Sequence, residues 1–191
     1  VYKRQGYGTG GTVSGVGRVL REKSPGTKII LTEPENAALI GSELKQDRHS
    51  DNTPATSHSS WNPHLIQGWT PDFIPFVLQE AIDNNYFDKL LPVSGEQGIT
   101  WAKRLARAEG IITGISGGST FAIAMEVAKD APPDSNILCM LPDTGERYLS
   151  SPLFEEIPEE MTDDEKKISL STPNYQPVSY THLTLPTIYS V

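Results

Sequence analysis

The chain has 191 residues and a formal net charge of −8, with 37% hydrophobic and 21% charged residues, enough for one good-sized domain with an apolar core. The negative balance argues against a nucleic-acid surface, and no apolar run is long enough to span a bilayer. The single cysteine, Cys139, excludes an internal disulfide and a CxxC metal site and suits a reducing, cytoplasmic setting, with an organelle left open.

In chain order, residues 1–5 and 178–191 read as a non-native leader and tail, of the kind translated from sequencing adaptors. On that reading the native protein occupies residues 6–177, cut from a longer parent. Its first stretch is Gly8, Thr9, Gly10, Gly11 and Thr12. Glycines leave backbone N–H groups unshielded and tolerate positive φ, and the apolar spacing that follows predicts a helix starting there. Backbone donors, threonine hydroxyls and the positive end of a helix dipole together make a phosphate cradle. No Lys-Ser or Lys-Thr pair follows, so the loop is not a Walker A sequence. Gly6, Gly8 and Gly11 satisfy G-x-G-x-x-G, but with no native strand expected ahead of them the pattern does not specify a dinucleotide fold, and an ordinary glycine-rich turn is the plain alternative.

A strand is predicted over Lys28–Pro34 and a short helix over residues 36–44, followed by a polar, solvent-exposed loop over residues 45–63. A helix over residues 73–83 and a strand over Lys89–Val93 come next. The helix over residues 94–109 is the best marked, with Ser94 and Gln97 at capping-box spacing and Ile99, Ala102, Leu105 and Ala106 on one face. A second glycine-serine turn, residues 114–119, leads into a helix over residues 120–129 and a buried strand over residues 136–141. There Cys139 reads as a small hydrophobe rather than a nucleophile. This alternation specifies an α/β fold, three-layered, with a largely parallel sheet and flanking helices over residues 6–154 and an acidic tail over residues 155–177. Ligands bind such sheets at the carboxyl ends of the strands, so the two glycine turns face one ligand from two sides. His49, His58 and His64 lie in polar sequence at no metal-ligand spacing and read as exposed, with no metal site. Trp61, Trp69 and Trp101 read as packing residues, and Glu146 with Arg147 as a structural ion pair.

Gly8 to Thr12, Gln67-Gly68 with Phe73-Ile74-Pro75, Gly114-Ile115-Ser116 and the run Gly145-Glu146-Arg147-Tyr148-Leu149-Ser150 occur in an order that resembles the cysteine synthase (O-acetylserine sulfhydrylase) family of fold-type II pyridoxal-phosphate enzymes. The resemblance covers nearly all of residues 6–154, and the last run is its most discriminating piece. Trp69 to Asp72 depart from the family's small, glycine-containing segment, and Gly117 and Ser119 replace small residues; these departures bear on donor or acceptor specificity rather than on the cofactor.

The resemblance implies pyridoxal 5'-phosphate as cofactor, its phosphate on Gly8, Thr9, Gly10, Gly11 and Thr12, its pyridine nitrogen on Ser116, and Pro142 beside the ring. Gln67 and Gly68 are implied to line the substrate cavity. The implied reaction is β-replacement of O-acetyl-L-serine by sulfide to give L-cysteine, in a homodimer that has serine acetyltransferase as a partner. A serine at the pyridine nitrogen makes the ring a weaker electron sink than a carboxylate would, which suits elimination over racemisation or transamination. The family's lysine for the cofactor aldehyde belongs upstream, and none of Lys23, Lys28, Lys45, Lys89, Lys103 and Lys129 matches it. The chain is therefore expected to be a catalytically incomplete C-terminal part with no catalytic residue of its own. Two alternatives stay open: another β-replacement enzyme of the fold type, using O-phosphoserine or making cystathionine, and a non-catalytic phosphate-binding or regulatory module.

Overall fold

A computed structural model describes residues 2–158 and 160–171, with side chains from residue 6 onward. The chain divides into two compact units, Val1–Glu155 and Glu156–Val191. In the first, strand β2, Lys28–Pro34, is buried at every residue after Lys28, the pattern of a strand covered on both faces. It pairs in parallel with β1, Tyr2–Gly6, and with β3, Lys89–Val93, while β4, Ile137–Cys139, adds to the far side of β1. Successive side chains on a strand point to opposite faces. Leu31 accordingly joins Tyr7, Val13, Leu78 and Ala81 under helices α1, Gly11–Lys23, and α2, Phe76–Asp83. Its neighbour Ile30 joins Val93, Ala102, Ile115 and Ile123 under α3, Gly95–Glu109, and α4, Ile115–Asp130. Two separate cores on one sheet are the three layers.

The strand order is β3-β2-β1-β4. The chain moves from β1 outward through β2 to β3, then returns to the other side of β1. That reversal opens a crevice between the carboxyl ends of β1 and β4, the place where open α/β sheets bind ligands.

Several expectations are corrected. Residues 2–5, set aside from the fold on sequence grounds, form most of β1, which pairs with a strand on each side. Ladder bonds use only backbone groups, so side-chain pattern was a poor guide to this segment. The helix expected over residues 36–44 shrinks to one 3-10 turn, Glu35–Ala37, because the Glu33 carboxylate takes the N–H groups of Ile40 and Gly41 that a helix would need. Helix α2 starts at Phe76 rather than residue 73, since Pro75 disfavours helical backbone at Ile74. Residues 114–119 are not a separate turn: from Ile115 on they are the first turns of α4. Their glycines serve close packing, for a Cβ on Gly118 would collide with the Gly98 carbonyl of α3. Strand β4 is shorter than expected and incompletely covered, leaving Cys139 half-buried at the sheet edge.

The loop over residues 45–63 has little regular structure, yet it is tied down. Arg48 Nη2 donates to Ile74 O at 2.6 Å, Gln46 Oε1 accepts from Ile74 N at 2.9 Å, and His58 N donates to Asp72 O at 2.6 Å. His58, expected to be exposed, is buried; its Nδ1 accepts from Ser60 N at 3.2 Å, so Nε2 carries the proton toward Leu44 O.

In the second unit the acidic segment forms α5, Asp163–Ser171. The Glu165 carboxylate accepts from Thr162 N while Thr162 Oγ1 accepts from Glu165 N, a capping box whose acidic first turn also suits the helix N-terminus. Residues 178–191 lie outside the described residues. No described helix is long and apolar enough to cross a membrane.

Candidate functional site

Helix α1 starts behind Gly10, which takes φ 88 as N-cap, with no side-chain cap and no acidic residue in the first turn. Its leading N–H groups are therefore open, and the positive end of its dipole is uncompensated. The glycines ahead of it meet two different demands. A Cβ on Gly8 would stand 2.7 Å from Gly68 O, so glycine lets the loop touch the 67–69 segment. A Cβ on Gly10 would stand 2.6 Å from Leu78 Cα, so that glycine seats α2.

A cavity of about 410 Å³ opens at the crevice between β1 and β4. Six of the residues assigned to the cofactor or substrate side from the sequence meet on its lining: Gly8, Thr12, Gln67, Gly68, Ser116 and Pro142. Thr9, Gly10 and Gly11 do not. Gly10 is buried, whereas Thr9 and Gly11 face solvent.

The opposite wall is the start of α4, again without a side-chain cap. Ser116 is 3% exposed, and its carbonyl accepts from Thr120 Oγ1 at 3.0 Å, one helical turn on. Behind it Tyr148 donates to the Asp143 carboxylate. Burial first, then Asp143, pushes the Tyr148 phenol up to about 12, with Ser116 and Arg147 pulling the other way. Asp143 Oδ1 is buried with no partner among the described residues although the residue lines the cavity. A donor on a bound molecule would complete it.

Trp69, which the sequence also allowed to narrow the cavity entrance, is on the lining, whereas Thr120, Asp143, Arg147 and Tyr148 were missed as lining residues. Each of these four sat beside a signal already recognised: a turn after Ser116, next to Pro142, or inside the Gly145 to Ser150 run. Trp69 packs, as expected, but against Gly6, where a Cβ would collide with its ring, and so it also walls the cavity. Glu146 and Arg147 do not form the expected ion pair. Glu146 is exposed, its carboxyl held low chiefly by the Thr144 hydroxyl, and Arg147 turns to the cavity lining. His64 is half-buried, with Nε2 3.3 Å from Thr70 O. No described lysine lines the cavity.

The family model described as "Pyridoxal-phosphate dependent enzyme" matches residues 5–143. O-ureido-L-serine synthase of Streptomyces lavendulae is 40% identical over 167 residues, 87% of this chain and 45% of that protein. Cysteine synthase of Staphylococcus aureus (strain Mu50 / ATCC 700699) is 35% identical over 149 residues, 78% of this chain and 42% of that protein. Among solved structures, O-ureido-L-serine synthase superposes with TM-score 0.71 at 38% identity, covering 87% of this chain and 46% of the other. Cysteine synthase from Entamoeba histolytica superposes with TM-score 0.65 at 30% identity, covering 87% and 43%. The chain spans less than half the length of these relatives.

Proposed function

The chain belongs to the pyridoxal-phosphate dependent enzyme family, in its fold-type II branch, and on that premise we propose that it carries the cofactor-binding part of an enzyme performing β-replacement on an O-activated L-serine. The supporting observation is that two uncapped helix N-termini, those of α1 and α4, meet on one cavity at the reversal point of the sheet. The first suits an anion, and the second presents a neutral hydroxyl, Ser116.

In this reading the open N–H groups of Gly11 and Thr12 at the start of α1, with the backbone of Gly8 and Gly10 and the hydroxyls of Thr9 and Thr12, hold the cofactor phosphate. Ser116 hydrogen-bonds the ring nitrogen, Pro142 packs beside the ring, and Gln67 and Gly68 line the substrate side. The bound cofactor supplies the electron sink for breaking bonds at the substrate α-carbon. Ser116 bears no charge and so does not keep that nitrogen protonated, which favours loss of the β-substituent over other fates. Tyr148, bonded to Asp143, backs the Ser116 wall, and Trp69 closes the cavity at the end of β1.

The cysteine synthase form of the reading takes O-acetyl-L-serine and sulfide, releases acetate and forms L-cysteine. A second form is favoured by the higher identity to O-ureido-L-serine synthase, 40% against 35%. There the hydroxyl oxygen of hydroxyurea would bond to the serine β-carbon, giving up its proton as the β-carbon–acetate bond breaks and acetate leaves, which gives that product. A homodimer, docking of serine acetyltransferase and a cytoplasmic setting belong to the same proposal. So does placement of the aldehyde-binding lysine in the part of the relatives' length that this chain does not match. Supplying O-acetyl-L-serine with sulfide or hydroxyurea to a protein of the relatives' full length, and separating the products by chromatography, tests the reading. Cysteine or O-ureido-L-serine is expected, and cofactor-loaded protein that makes neither overturns it.

A further inference from the structure

Tyr7 immediately precedes the phosphate loop, yet its ring is buried in the core under α1 and α2, 1% exposed. Its hydroxyl donates to Glu33 Oε2 at 2.6 Å. Glu33, 2% exposed at the end of β2, also accepts from Ile40 N at 3.1 Å and Gly41 N at 2.9 Å. On its backbone side Tyr7 O accepts from Thr70 N at 2.8 Å, and the next residue, Gly8, lies against Gly68 O. Thr70 itself is held at φ 39, a left-handed conformation that threonine avoids, and its carbonyl accepts from Trp61 Nε1 at 3.1 Å. One residue thus joins the core floor, the phosphate loop and the substrate-side segment. Burying a carboxyl group in that core costs desolvation that an apolar pair of similar volume would not.

We propose that Glu33 and Tyr7 are positioning residues: their hydrogen bond fixes the Tyr7 backbone, keeps Gly8 in contact with Gly68, and so holds the cradle in the geometry that receives a phosphate. The inference rests on the reading that residues 8–12 take the cofactor phosphate. A cradle released from this bond loses pre-organisation for the phosphate, while Ser116 and Pro142 on the ring side are left as they were.

The full chain and its Tyr7→Phe, Glu33→Gln and Gly41→Ala variants are titrated with pyridoxal phosphate and with pyridoxal, which lacks the phosphate. Quenching of tryptophan fluorescence, with Trp69 on the cavity wall, reports binding, and urea denaturation reports folding. The wild-type chain is expected to prefer the phosphorylated ligand. Tyr7→Phe and Glu33→Gln are expected to cut that preference about tenfold and leave pyridoxal affinity within about twofold. Gly41→Ala, at an exposed turn, would bring a Cβ 2.6 Å from Glu33 Oε1 and is expected to act in the same direction with the fold intact. It decides the matter if the other two variants fail to fold. An unchanged preference overturns the inference, and so does equal loss for both ligands, which marks the pair as structural only. A wild-type chain with no preference for the phosphorylated ligand overturns the phosphate-loop reading itself, leaving the pair nothing to position.

Discussion

At Gly10 two constraints coincide: φ 88, which L side chains rarely adopt, and a Cβ position 2.6 Å from Leu78 Cα. Gly10→Ala is therefore expected to cost more than about 1 kcal/mol of stability in urea denaturation, because strain and a backbone clash add. Thr12→Val, at an exposed lining position, should change stability by less than about 0.5 kcal/mol and weaken binding of pyridoxal phosphate more than of pyridoxal. A Gly10→Ala chain as stable as wild type would contradict the packing account. Tyr148 offers a second test at this scale. Its phenol is raised above the ordinary value of 10.0 to about 12, so its contribution to stability is complete below pH 10 and lost as the pH climbs through about 12. The wild-type minus Tyr148→Phe difference in tyrosinate absorbance should show that late midpoint. A midpoint near 10 would mean that the Asp143 bond and the burial are absent in solution.

Between elements the main electrostatic junction is Asp88, just before β3. Its Oδ2 accepts from Ile29 N at 2.7 Å and from Arg21 Nη2 at 2.9 Å, while Lys28 Nζ stands 3.4 Å from Oδ1, so one carboxylate joins the end of α1 to the start of β2. Partial burial pushes this carboxyl up, but the Ile29 N–H and the Arg21 guanidinium outweigh it and hold it below the usual carboxylate range. A lowered folded-state pKa contributes stability that is present above the unfolded value and lost as the pH falls through the folded one. Asp88→Asn should thus destabilise the chain by about 1–3 kcal/mol at neutral pH, with the deficit shrinking as the acid limb is approached. Urea midpoints of the two proteins at pH 7 and pH 3 measure this, and a pH-independent gap would assign the loss to packing.

For the whole molecule the decisive feature is a cavity bordered by the uncapped start of α1 with no described lysine on its lining. Pyridoxal phosphate should bind the chain reversibly and raise its melting temperature in proportion to the logarithm of ligand concentration once the site is saturated, as mass action requires. Borohydride treatment followed by mass spectrometry should find no single lysine labelled stoichiometrically. One fully labelled lysine would place a covalent cofactor anchor within this chain.

The sequence by itself determined what depends on local chemistry. The run Lys28–Pro34 was legible as a strand because burial on both faces demands continuous apolar or β-branched residues, and Lys89–Val93, at the sheet edge, by its short apolar run. The Ser94 and Gln97 capping box marked the start of α3 because both partners lie within four residues of each other. The ordered motifs disclosed the family. Tertiary structure decided everything that rests on distant partners. It made residues 2–5 part of a sheet-centre strand through backbone pairing that side-chain pattern does not encode, and it cut short the helix after Glu33 by lending that carboxylate to two N–H groups. It turned the loop at residues 45–63 from free chain into a strap bonded to Asp72 and Ile74. It also separated the glycines by purpose, Gly8 for the cavity wall and Gly10 for α2, because only the folded chain shows which neighbour a missing Cβ would have struck.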